Sequence, residues 1–240
     1  MAAAPPLFPD IPSLSDSAEL AALIAASITG IAIRTRYYDS YLFTACATGC
    51  RQVVLLAAGL DTRAFRLVWP DGVRIFELDL PGLFAFKEPV LAEQAAVPSC
   101  ERRVVPADLR QDWPARLTAA GFDPSAPSAW AAEGLLVYLS SDEAVRLLTA
   151  VGDLSARASR LSVECDEFAE DSTLSRARAM PGMEEVASMW QGGGLGQYRE
   201  EWLSQHGWQV RTSDRRTLAA SYGRELSDDA AGRFLIAIRN

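Results

Sequence analysis

The chain has 240 residues, of which 49% are hydrophobic and 22% charged, an ordinary globular composition with enough length for one substantial core. A formal net charge of -8 argues against a nucleic-acid groove or an anionic membrane patch, because either requires clustered Lys and Arg. No stretch approaches the roughly 20 apolar residues that span a bilayer. Residues 1–30 also lack a basic segment leading into an apolar one and a small-residue cleavage site, so a cytoplasmic, single-domain protein with a small-molecule partner is expected.

Four cysteines, Cys46, Cys50, Cys100 and Cys165, accompany one histidine, His206. A closed structural zinc site takes four ligands at recognisable spacings, which this set does not supply, so no metal is expected and the thiols read as buried apolar groups. Residues 1–16 contain Pro5, Pro6, Pro9 and Pro12 and form an irregular lead-in. Leu20, Leu23, Ile24 and Ile28 then recur at helical spacing over Ser17 to Thr29, giving a helix packed on the body. In the following IAIRTRYYDSYL, Arg34, Tyr37, Tyr38 and Tyr41 fall at i, i+3, i+4 and i+7, which puts one cation and three aromatics on one side of a helix. Residues 11–45 thus read as a helical cover.

Gln52 to Arg66, QVVLLAAGLDTRAFR, has the form of a buried strand, a small-residue turn and a helix start. Val53 to Leu56 suit a strand covered on both faces, and Ala57, Ala58 and Gly59 remove bulk where the backbone turns. Asp61 and Thr62 are candidate N-caps for a helix whose buried face starts at Ala64, Phe65, Leu67 and Val68. Val73 to Leu80 alternates and ends in acids, so Glu77 or Asp79 lies near the end of a second strand. That is about 20 residues beyond the first, where a nucleotide-binding βαβ unit places an acid for ribose hydroxyls. A helix from Pro81 to about Ala95, a strand Arg103 to Ala107 and a helix Trp113 to Ala120 follow. Ser128 to Leu139 reads as a fourth strand holding Glu133, a carboxylate too costly to bury without a partner. A helix Asp142 to Ala156 and a strand Leu161 to Glu164 come next. Periodicity then weakens over residues 166–196, a lid-like insertion, before a helix Tyr198 to His206 and strands Trp208 to Thr212 and Arg233 to Ile238. Alternating strands and helices imply an α/β fold, a mainly parallel sheet of seven strands with helices on both faces and an antiparallel hairpin at one edge.

RTRYYD, QVVLLAAGLDTRAFRL, ELDLP, DLRQDWP, AGFDP and AEGLLVYL, in that order over residues 31–165, resemble the leucine carboxyl methyltransferase-like family of class I S-adenosylmethionine-dependent methyltransferases, in particular its bacterial O-methyltransferase branch. The resemblance implies a Rossmann-like fold with S-adenosylmethionine as cofactor. Arg34 would pair with the cofactor's carboxylate, where a guanidinium binds two oxygens at once. Ala57, Ala58 and Gly59 would pass beside its methionine and ribose portion, and Asp79 would accept the ribose hydroxyls, with Glu77 second on spacing alone. Asp108 and Leu109 would flank the adenine, and Glu133 would accept from the ammonium. Tyr138 is the candidate for positioning substrate. The implied reaction is methyl transfer to a carboxylate, phenol or enol oxygen of a small molecule, such as a polyketide or another natural-product intermediate. Two departures, Ala57 where the family has glycine and the Pro6-Leu7-Phe8-Pro9-Asp10 segment close to residue 1, motivate a second expectation. In it, the fold binds the cofactor structurally and catalyses a cyclisation or isomerisation. Oligomeric state has no sequence signal.

Overall fold

Gln52–Leu56 forms strand β1 at the middle of the sheet, every residue buried. Successive side chains on a strand enter opposite faces, so an apolar run is stable only if both are covered. Val54 and Leu56 pack with Phe76, Leu78 and Trp130 on one face. Val53 and Leu55 pack with Ile75, Tyr38 and Tyr41 on the other. The structure, a computed structural model, describes residues 18–165, 188–191, 194–226 and 232–240. The lead-in over residues 1–16 and most of the expected insertion, residues 166–187 and 192–193, lie outside them.

Strands β2 (Arg74–Asp79), β3 (Glu101–Pro106), β4 (Ser128–Ala132), β5 (Arg160–Cys165), β6 (Trp208–Asp214) and β7 (Arg233–Arg239) complete a seven-stranded sheet of order β3-β2-β1-β4-β5-β7-β6. The first five are parallel, and β7 runs antiparallel to both β5 and β6. The edge hairpin is therefore present, with the reversed strand one place in and β6 outermost. From β1 the chain moves to one side through β2 and β3, then crosses to β4 on the other. This switch point opens a crevice beyond the carboxyl ends of β1 and β4, where ligands of open α/β sheets bind.

The two helical segments read near the N-terminus are one helix, α1 (Ala18–Ala47), 30 residues long. Gly30 at their junction costs only about 1 kcal/mol in a helix interior, too little to stop it without a proline. Ile28, expected to pack on the body, is exposed. Helix α2 (Arg63–Arg66) is a single turn, followed by α3 (Pro81–Glu93), α4 (Trp113–Ala119) and α5 (Ser141–Asp153). A capping box starts α5, with Glu143 N–H donating to Ser140 Oγ at 3.3 Å and Ser140 N–H to the Glu143 carboxylate at 2.9 Å. Helix α6 (Arg199–Gln205) matches expectation, whereas α7 (Arg215–Ser221), capped by Asp214, had no periodic signal. The largest departure is β4, which stops at Ala132 instead of Leu139: Gly134 at φ +62° turns the chain, and Leu136–Tyr138 is a 3₁₀ turn. Among the described residues, no helix is long and apolar enough to cross a membrane.

Candidate functional site

The turn after β1 spends its own amides. Ala58 N–H donates to the Leu78 carbonyl at 2.9 Å, and Asp61 N–H to the Ala58 carbonyl at 3.0 Å. Gly59 N–H donates to Asp79 Oδ2 at 2.7 Å, and Arg63 N–H to Asp61 Oδ1 at 2.6 Å. Asp61 thus satisfies the start of α2, while Thr62 makes no side-chain cap. Ala57 and Gly59 both take the left-handed conformation, at φ 54° and 52°. For alanine this costs about 1–2 kcal/mol, so Ala57 follows the path glycine would take and carries the strain of it.

Helix α1 reaches the same crevice because its tyrosines are tied to strand ends. Tyr38 Oη donates to the Ala132 carbonyl at 3.1 Å and Tyr41 Oη to the Trp130 carbonyl at 3.0 Å, while Tyr37 Oη lies 3.1 Å from Ser162 Oγ. Arg34, one turn earlier, then projects across the carboxyl end of β4, donating from Nε to Glu133 Oε1 at 3.0 Å and from Nη1 to Glu164 Oε2 at 3.3 Å. Arg63 approaches Glu133 from the opposite side, with Nη1 2.8 Å from Oε2, and also holds Asp39 at 2.7 Å and Asp61. Arg66 adds two bonds to Asp39, at 2.6 and 2.7 Å. These seven charged side chains, from α1, α2, β5 and the loops after β1 and β4, form one connected network.

Burial and charge compete in this network. Burial pushes the Asp61 carboxyl above its ordinary range against the pull of Arg63. Burial would raise Asp39 too, but hydrogen bonds from Arg66 and Arg63 prevail and hold it below. Burial disfavours the Arg63 cation, yet the Asp61 and Glu133 charges outweigh it and raise its pKa. Tyr38 is raised well above a free phenol by burial and then by Glu164 and Glu133, so it remains neutral and cannot act as a base.

These elements enclose a cleft of about 360 Å³, lined by Arg34, Thr35, Ala57, Ala58, Gly59, Asp61, Arg63, Ala131 and Glu133 among others. Of the residues singled out by sequence, it brings together Arg34, Ala57, Ala58, Gly59 and Glu133. Asp79 meets it indirectly, fixing Gly59 with one carboxylate oxygen and the Leu80 amide with the other, each at 2.7 Å. Glu77, the second choice for the ribose, lies away from the cleft lining: it is wholly buried and held by Lys87 at 2.7 Å and Arg102 at 2.8 and 2.9 Å. Asp108 folds onto its own loop, accepting from Arg110 at 2.7 and 2.9 Å, and hydrogen bonds from Arg110 hold its pKa below the ordinary range. Leu109 packs on the core, and neither residue lines the cleft. Tyr138 is exposed on the 3₁₀ turn and is likewise outside the lining. His206 stacks on Trp202 at the end of α6, with ring centroids 3.8 Å apart. Sequence reasoning missed Asp39 and Arg63, although both lie inside RTRYYD and GLDTRAFR, and missed Glu164, a lone acid in the apolar run LSVEC that carries the same signal as Glu133.

The model of the family described as Leucine carboxyl methyltransferase matches residues 10–152. A protein of Parafrankia sp. (strain EAN1pec) is 48% identical over 87% of this chain and 68% of its own length, and one of Streptomyces coelicolor is 40% identical over 99% and 84%. Both are provisionally named as S-adenosyl-L-methionine-dependent methyltransferases. Among solved structures, a provisionally named methyltransferase from Thermobifida fusca superposes with a TM-score of 0.57 at 20% identity, covering 90% of this chain and 82% of that one. Magnesium protoporphyrin IX methyltransferase from Synechocystis, solved with bound SAH, gives 0.51 at 14%, covering 90% and 83%. At such identities these two speak for the fold alone. The extent of the family match, the identity to full-length relatives and the strand order agree: this chain belongs to the leucine carboxyl methyltransferase family of S-adenosylmethionine-dependent methyltransferases.

Proposed function

We propose that the protein transfers the methyl group of S-adenosylmethionine to an oxygen of a small molecule, a carboxylate before a phenol or enol, within the biosynthesis of a natural product. The observation that carries the choice of ligand is the state of the turn after β1. A dinucleotide site aims open backbone amides and a helix N-terminus at a pyrophosphate. Here the Ala58, Gly59, Asp61 and Arg63 amides are bound internally, and α2 is one turn long. Asp61 and Glu133 place carboxylates in the lining beside Arg34, Arg63 and Arg66, a mixture that suits a ligand bearing a sulfonium, an ammonium and a carboxylate. The volume falls within the range of small-molecule sites.

When bound, the cofactor supplies an activated methyl group that an acceptor oxygen displaces in line from sulfur, so the protein's own task is orientation. Arg34 would hold the methionine carboxylate and Glu133 its ammonium, while Asp79 would serve the ribose through its remaining lone pairs. The lining contains no histidine, lysine or cysteine among the described residues, and the tyrosines of α1 are buried and hydrogen-bonded. A carboxylate acceptor needs no base to attack, which is the ground for placing it first. The left-handed Ala57 keeps the turn on a glycine path and so removes one motive for a cofactor held without methyl transfer.

Labelled S-adenosylmethionine incubated with a panel of small carboxylic acids and phenols is the test, with calorimetry of S-adenosylhomocysteine in parallel. Label in a base-labile ester is the expected result. Tight binding without label in any acid or phenol would favour the cyclisation or isomerisation reading, and no binding would remove both.

A further inference from the structure

Glu164 at the end of β5 is buried and lies outside the cleft lining, yet three parts of the fold converge on it. Arg34 Nη1 donates to its Oε2 at 3.3 Å and Gly134 N–H donates to the same oxygen at 3.1 Å. Arg215 of α7 donates to Oε1 from behind, its guanidinium 5.2 Å from the Phe234 ring centroid on β7. Gly134 is the residue at φ +62° that turns the chain directly after Glu133, and a Cβ added there would lie 3.4 Å from Arg34 Nη1. Its turn and the Arg34 guanidinium are therefore packed against each other, and one carboxylate oxygen fixes both. A buried carboxylate with a cation on each side is costly to desolvate, so its position has to be over-determined by the groups around it.

We propose that Glu164 is a positioning residue of the cofactor site: it fixes the Arg34 guanidinium and the Gly134 turn, and through them the facing pair Arg34 and Glu133, so that cofactor affinity depends on a side chain that does not line the cleft. This rests on the cofactor reading above. Without the Glu164 charge Arg34 has one fewer carboxylate to set its rotamer, and the turn that carries Glu133 loses its anchor. A site held a fraction of an ångström too loosely binds more weakly even when every contacting residue is present.

The experiment is a double-mutant cycle read by S-adenosylhomocysteine calorimetry, well below the unfolding temperature of every variant. Glu164→Gln keeps the shape and one acceptor and should weaken binding on the order of tenfold. In an Arg34→Ala background the same substitution should have a much smaller effect on affinity while lowering the unfolding temperature as before, which a merely structural role would not produce. If Glu164→Gln alone does not fold, Glu164→Gln with Arg215→Met removes the buried cation and replaces it in the cycle. Equal affinity of parent and Glu164→Gln, or the same fold-loss in both backgrounds, overturns this inference and leaves the cofactor reading standing. No binding by the parent protein overturns the cofactor reading and this inference with it.

Discussion

Glu77 and Asp79 stand two residues apart on β2, and separating their roles is the sharpest check on the site. Glu77 is wholly buried, and its carboxylate receives Lys87 at 2.7 Å and Arg102 at 2.8 and 2.9 Å. Arg102 has a second carboxylate in Glu88, at 2.7 and 3.0 Å, whereas Lys87 is almost fully buried and faces Glu77. In Glu77→Gln the amide oxygen can serve one cation, and its NH₂ group confronts the other. Removing one member of a buried ion pair costs about 3–5 kcal/mol, and retention of one acceptor puts this variant near about 3 kcal/mol. For a chain of this length that lowers the unfolding temperature by roughly 6–12 °C. Urea unfolding at neutral pH should show a lower midpoint at unchanged m-value. S-adenosylhomocysteine affinity, measured where the variant is still folded, should match the parent. A loss below about 1 kcal/mol, or a tenfold weaker ligand with unchanged stability, would refute the assignment of Glu77 to the scaffold.

The complementary variant, Asp79→Ala, should weaken S-adenosylhomocysteine by about 1–3 kcal/mol in calorimetry, because the charged acceptor and the brace on Gly59 go together; an unchanged dissociation constant would put the ribose elsewhere. Ala57→Gly relieves about 1–2 kcal/mol of left-handed strain and adds about 0.5–1 kcal/mol of unfolded-state freedom, for a net gain near 0.5–1 kcal/mol visible in differential scanning calorimetry. A lower unfolding temperature would mean that the turn does not run as described. Asp39 has a folded pKa held below its unfolded value, so its stabilisation is complete above the unfolded pKa of about 4 and is lost as pH falls through the folded pKa. The stability difference between parent and Asp39→Asn should accordingly be flat from neutral to about pH 5 and shrink below about pH 4, and a difference that grew on acidification would contradict the ion pairs to Arg63 and Arg66.

Much of this was legible in the sequence, for local reasons. Val53 to Leu56 announced a strand with two covered faces, and both cores are there. Glu133 was legible because a charge in an apolar run must have partners, and it has two arginines. Glu164 carried the same signal but stands at the start of a stretch without periodicity, where nothing in the pattern pointed back to Arg34, 130 residues earlier. Glu77 and Asp79 could not be separated by spacing, since a strand of period two puts both on one face. What sets Glu77 apart from Asp79 is its pairing with Lys87 on α3 and Arg102 on β3, whose approach is a tertiary fact. The true end of β4 was masked because Leu135, Leu136 and Leu139 are buried as a strand's would be, although the chain has already turned at Gly134.

The reversed strand β7 has a consequence for how the protein is made. It lies between β5 and β6, so β6, although synthesised earlier, has no neighbour until Arg233–Arg239 arrives to separate and pair the two. Phe234 on that strand stacks on Tyr37 of α1, with ring centroids 4.0 Å apart, so the first described helix and the last strand meet under the arginine of the cleft. A chain emerging from the ribosome can assemble β1 to β5 in order and seat α1 on β4 and β5 through Tyr38, Tyr41 and Tyr37, but β6 must wait for β7. The residues that line the cleft all precede β5, so β7 adds to the site only from behind, through the Phe234 contacts with Tyr37 and Arg215.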